Sequence, residues 1–187
     1  GDLVPVYRRQ LADLETPVSV FIKLTQHNQP AFLLESVEGG EKVGRYSFLG
    51  VNPKGTITFK DGTVTRTFNG ETTTWALPHG QDPLHALQAE LNRYQPVKID
   101  GLPRLIGGAV GYIGYDVVRY FEKLPQTASQ PLSELPEAAF LLPDTLVIFD
   151  HAKHQLIILA NAHNTGDPAS AYQDAVDRIE AITAIIR

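Results

Sequence analysis

At 187 residues, 43% apolar and 20% charged, the chain is long enough to bury a core of its own and lacks the signature of a disordered polymer. Sixteen Lys and Arg against 21 Asp and Glu give a net charge of −5 with the basic residues scattered, which excludes a basic stripe for nucleic acid. Cysteine is absent, removing disulfides, thiolate metal sites and thiol nucleophiles, and no apolar run approaches the ~20 residues that span a bilayer.

A single domain over residues 1–187 in a bacterial-type cytoplasm is the expectation from these features. Gly1 in place of an initiating Met points to a processed or excised piece of a longer chain. In chain order, residues 4–11 read as a short helix with Pro5 in its first turn, and Thr16-Pro17 caps a second helix carrying Val18, Phe21 and Ile22. A polar turn at residues 27–30 precedes a short apolar run, 31–36, that suits a buried strand. Residues 38–41 turn the chain into 45–50, whose alternation completes a hairpin.

Three more strands follow, punctuated by Asn52-Pro53, Asp61-Gly62 and Asn69-Gly70, the last two being strong hairpin signals. Asp82-Pro83 caps a helix with Leu84, Leu87, Leu91 and Tyr94 along one face. A Gly-rich strand over 106–115 leads to a helix near Val117–Phe121, and residues 125–136, rich in Pro, Ser and Gln, read as an exposed loop. Residues 145–149 and 155–160 make another hairpin. Asp167-Pro168 caps a last helix striped by Tyr172, Ala175, Val176, Ile179 and Ile186. Antiparallel strands with helices between and after them predict an α+β fold without βαβ units.

Several chemistries drop out. The glycines at 107, 108, 111 and 114 match neither a dinucleotide fingerprint nor a phosphate loop, so close backbone packing is the simpler cause. His151 and His154 bracket a predicted turn and lack a carboxylate cluster, which argues against a metal. No nucleophile elbow surrounds Ser36 or Ser47. What remains is Leu33-Leu34-Glu35-Ser36, where strand alternation puts a carboxylate and a hydroxyl beside apolar surface. An amino acid would supply partners for such groups, whereas Glu35 in water or paired with Arg45 across the hairpin would leave no site.

Leu33-Leu34-Glu35-Ser36, then Gly44-Arg45-Tyr46-Ser47-Phe48-Leu49-Gly50, the Gly-rich run 107–116 and Leu142-Pro143-Asp144 together resemble the N-terminal region of the anthranilate synthase component I family, in order and over essentially the whole chain. The resemblance implies a regulatory domain that is not catalytic alone and carries the feedback site for L-tryptophan on Leu34, Glu35, Ser36, Arg45 and Tyr46. It also implies a separate C-terminal catalytic domain holding chorismate and Mg2+, with no cofactor in this part, and a glutamine amidotransferase subunit, component II, as partner. Component I of aminodeoxychorismate synthase is a near rival. A ligand-free interaction module is the rival of another class.

Overall fold

The computed structural model describes residues 1–25, 29–35, 44–123 and 135–187. Ser36, the expected turn at 38–41 and most of the expected loop at 125–136 lie outside the described residues. The described chain is α+β, with ten strands in two five-stranded sheets, every strand pair antiparallel. It divides into two compact units. Unit 1 comprises residues 1–53, 94–108 and 143–187, and unit 2 comprises 54–93 and 109–142.

Unit 1 holds β1 (Leu3–Leu11), β2 (Ala31–Leu34), β3 (Tyr46–Val51), β9 (Thr145–Asp150) and β10 (Gln155–His163) in the order β1-β10-β9-β3-β2. The expected helix over 4–11 is corrected by β1, which pairs with β10 over nine residues. β1 is an edge strand, where the missing N–H of Pro5 is tolerated, and a partner 150 residues away outweighs a weak local helix signal. On one face of this sheet, Leu49, Val147, Phe149, Leu156 and Ile158 pack with α1 (Pro17–Leu24) and α3 (Pro168–Ile186). α1 starts as predicted, with Thr16 accepting from the Ser19 backbone and Ser19 returning the bond. α3 buries Ala175, Ile179, Ile182, Thr183 and Ile186, whereas Tyr172, expected in the stripe, is exposed.

The other face carries buried Leu146, Ile148 and Ile157, with Tyr7, Phe32, Tyr46, Phe48 and Leu102 packed on them and partly open. Gly50 serves this face. A Cβ there would fall 2.1 Å from the Phe32 ring, so only glycine lets that ring lie flat on β3.

Unit 2 holds β4 (Gly55–Lys60), β5 (Thr63–Phe68), β6 (Glu71–Ala76), β7 (Val110–Ile113) and β8 (Ala138–Leu142), ordered β6-β5-β4-β8-β7. The meander is as read. Asp61, Gly62, Asn69 and Gly70 all take positive φ, the requirement of a primed two-residue turn. Its core is Ile57, Phe59, Val64, Ala138 and Phe140, closed by Ala86 of α2 (Pro83–Leu91) and by Val117 of a 3-10 turn (Tyr115–Tyr120) that stands where a helix near Val117–Phe121 was expected.

α2 docks through only part of the predicted stripe, with Leu87 packed on the core. Pro83, Ala86 and Glu90 are buried while Leu84 is exposed, because Arg66 on β5 reaches up and takes the Glu90 carboxylate at 2.8 Å. The Gly-rich strand is shorter than predicted, Val110–Ile113, since Gly108 sits at φ +100 outside any strand conformation. Gly111 explains the composition: a Cβ there would meet the Ala139 carbonyl at 1.9 Å.

Candidate functional site

Of the residues singled out, Leu34 ends β2 with Glu35 just beyond it, and Tyr46 starts β3 with Arg45 just before it; the two strands pair with Leu34 opposite Phe48. β9 flanks β3 on its other side, placing Tyr46 opposite Asp150. Arg45, just before β3, turns to that neighbour and forms a two-pronged ion pair, Nε to Oδ1 at 2.9 Å and Nη2 to Oδ2 at 2.8 Å. Its guanidinium carbon lies 4.9 Å from the Tyr46 ring centroid, so ring and carboxylate together fix the side chain. The Tyr46 and Phe48 rings are 6.0 Å apart and continue an aromatic floor with Phe32.

The opposite face of the same strand end is also tied. Ser47, fully buried, shares a hydrogen bond of 2.8 Å with His151 Nε2, while the His151 backbone N–H donates to the Arg45 carbonyl at 2.9 Å. Burial pushes the Asp150 carboxyl up, yet the Arg45 hydrogen bonds and charge outweigh it and leave Asp150 below the usual carboxylate range. The same hydrogen bonds raise Arg45, which stays cationic.

The sequence-predicted residues thus fall into three situations. Arg45 and Tyr46 are brought together on one strand end. Leu34 is 43% exposed and Glu35, just past β2, is exposed, which is the reading in water that by itself leaves no site; the cross-hairpin pairing with Arg45 does not form, as Arg45 is held by Asp150. Ser36 lies outside the described residues. Asp150, Ser47 and His151 were not singled out as one cluster. Their only signal was the strand ending in Asp150-His151, and its relevance required knowing that β9 lies beside β3.

Chemically, the arrangement offers a cation held in place with a third of its side chain still open (34%), aromatic faces beside it, and an exposed carboxylate on the neighbouring strand end. These are complements of a zwitterion with an apolar body. A second cluster braces the unit: Arg178 of α3 contacts Asp144 and Asp174, each at 2.9 Å, and donates to the Asn161 carbonyl at 2.8 Å. Asp144 of the Leu142-Pro143-Asp144 motif is therefore a scaffold residue.

Residues 29–185 match the family described as chorismate binding enzyme. The chain is 38% identical over 182 residues to anthranilate synthase component 1 of Acetivibrio thermocellus, covering 97% of this chain and 36% of that protein. It is likewise 38% identical over 185 residues to the protein of that name from Mycolicibacterium smegmatis, covering 97% and 34%. The chain spans about a third of the length of the curated relatives it matches. In fold it resembles the crystal structure of anthranilate synthase component I from Streptococcus pneumoniae TIGR4, with a TM-score of 0.56 and 23% identity over 93% of this chain and 36% of that one. Among the described residues, no helix is long and apolar enough to cross a membrane.

Proposed function

The chain belongs to the chorismate-binding enzyme family, and from that premise we propose that it is the N-terminal, effector-binding part of anthranilate synthase component I. The enzyme converts chorismate and ammonia from glutamine to anthranilate and pyruvate, the first step of tryptophan biosynthesis. The observation that carries this reading is similarity to relatives of that name along 97% of the chain.

L-tryptophan is the proposed effector, held by Leu34, Glu35, Ser36, Arg45 and Tyr46. Arg45 faces the ligand carboxylate, Glu35 its ammonium, and the Tyr46 and Phe48 rings its indole. Binding that favours one arrangement of the whole enzyme shifts the population toward it by no more than the differential affinity, and coupling of about 1–3 kcal/mol changes activity several-fold to a hundredfold. No residue of this chain is given a catalytic role. The component II amidotransferase and a catalytic domain of the same polypeptide are the proposed partners, acting in the cytoplasm. Mg2+ is assigned to the proposed catalytic part.

The test is product analysis on the intact enzyme with and without L-tryptophan. Anthranilate formation inhibited by tryptophan, and released from inhibition in Ser36→Phe with turnover retained, is the expected result. Aminodeoxychorismate as the product would assign the folate-path relative, and indifference of both enzymes to tryptophan would remove the effector site.

A further inference from the structure

Among the described residues four strands form sheet edges, and three are guarded. β1 carries Pro5, Arg8 and Arg9, and β2 and β7 are four residues long. Prolines, charges and short length are the usual protections against unwanted strand pairing. β6 has little of this protection: six residues, Glu71-Thr72-Thr73-Thr74-Trp75-Ala76, every one exposed, with a single charge at one end and no Pro, Lys or Arg.

Its open side has a defined polarity. The Leu77 N–H donates to the Gly62 carbonyl at 2.8 Å, and the β5–β6 register pairs Phe68 with Glu71 and Arg66 with Thr73. Alternation then turns the backbone groups of residues 71, 73 and 75 toward β5 and those of 72, 74 and 76 outward. The threonine side chains follow the same rhythm: Thr67 meets Thr72 at 2.9 Å and Thr65 meets Thr74 at 3.4 Å on one face.

We infer that β6 is a self-association edge, pairing antiparallel with β6 of a second copy of this chain about a two-fold axis at Thr73. In that register Thr72 lies opposite the partner's Thr74, and these are the residues whose N–H and C=O point outward, so both exchange backbone hydrogen bonds. Each row of hydroxyls, Thr67 to Thr72, would continue through the second copy's Thr74 and Thr65. Glu71 falls opposite Trp75, so no like charges meet. The same surface patch serves both copies, as an isologous contact requires. A second copy is favoured over an unrelated strand because one register satisfies the open backbone groups, the threonine rows and the single charge together.

The chain has no cysteine, so single cysteines read the register directly. Thr73 and its copy would form a non-hydrogen-bonded pair with Cα atoms about 4.5 Å apart, within disulfide reach. Glu71 and its copy would stand about 13 Å apart along the strands. Mild oxidation should crosslink Thr73→Cys and leave Glu71→Cys monomeric, and sedimentation of the unmodified chain should show a dimer that grows with concentration. Thr74→Pro and Thr74→Lys, which block the outward edge, should abolish that dimer with the circular dichroism melt retained. A strict monomer at high concentration, equal crosslinking of the two cysteine variants, or a dimer indifferent to both Thr74 substitutions would overturn the inference.

Discussion

Arg45 grips Asp150 through two parallel hydrogen bonds of 2.9 and 2.8 Å, joining the start of β3 to the end of β9 beside the exposed end of β2. Because Asp150 is buried at 4% exposure and held below the usual carboxylate range, the clasp is a pH-dependent element. A carboxylate with a depressed folded pKa adds stability above its unfolded value of about 3.9 and loses it as pH falls through the folded value. Urea unfolding from pH 7 down to pH 2 should show that loss. In Arg45→Ala the lowering weakens, since only the Lys153 backbone N–H and charge then oppose burial, and the variant should be weaker than the parent at pH 7 with the gap closing in acid. A constant gap would mean that Asp150 does not titrate against Arg45.

Gly111→Ala tests whether close approach accounts for the one glycine of β7. The added Cβ would sit 1.9 Å from the Ala139 carbonyl and 2.7 Å from Phe140 Cα, both backbone atoms that cannot swing aside. Overpacking of this kind costs about 1–3 kcal/mol, seen as a lowered thermal midpoint. Gly62→Ala, with open space around the position but φ +70, isolates the cost of conformation from that of contact. An unchanged midpoint in Gly111→Ala would leave the glycine content of that strand unexplained.

Local chemistry was legible where local geometry decides. Asp61-Gly62 and Asn69-Gly70 announced two hairpins because few residues accept positive φ, and Thr16-Pro17, Asp82-Pro83 and Asp167-Pro168 announced three helix starts. Distance in sequence hid the rest. β1 looked helical because its partner β10 begins at Gln155, and a pairing of Arg45 with Glu35 stayed open as one alternative because the actual partner, Asp150, is 105 residues away. The buried face of α2 was read only in part for a related reason: Leu87 packs on the core, but an ion pair with Arg66 accompanies the burial of Glu90 while Leu84 stays exposed. Of the candidate site, the residue types were readable and the flanking strand that orients them was not.

Arg178 is the brace between α3 and its sheet, and its geometry is specific to a guanidinium. It contacts Asp144 and Asp174 and donates to Thr145 Oγ1 at 3.1 Å and to the Asn161 carbonyl at 2.8 Å. A lysine ammonium is a point charge and cannot hold these partners at once. Arg178→Lys should therefore cost about 1–3 kcal/mol, near the loss from Arg178→Ala. Chemical denaturation of both, with Asp144→Asn and the double variant, should give non-additive losses, since the two side chains share one network. Simple additivity would show that Asp144 is held independently.

Tyr120 ties the 3-10 turn to the β4–β5 hairpin. Its hydroxyl donates to Glu137 Oε2 at 2.8 Å and accepts from the Gly62 N–H at 3.1 Å. Burial, followed by the hydrogen bond to Glu137, raises the phenol above its ordinary range. The unfolded chain then loses this proton first as pH climbs past about 10, so the stability that Tyr120 contributes is complete below that point and lost as pH rises through the folded value. Tyr120→Phe should cost about 1 kcal/mol at pH 7, the usual net worth of a side-chain hydrogen bond, and the gap to the parent should shrink between pH 10 and pH 12. Glu137→Gln separates the two causes: it keeps an acceptor but removes the charge, so the alkaline loss should be smaller and end at lower pH than in the parent. An alkaline profile identical in all three proteins would mean that the phenol does not titrate within the folded state.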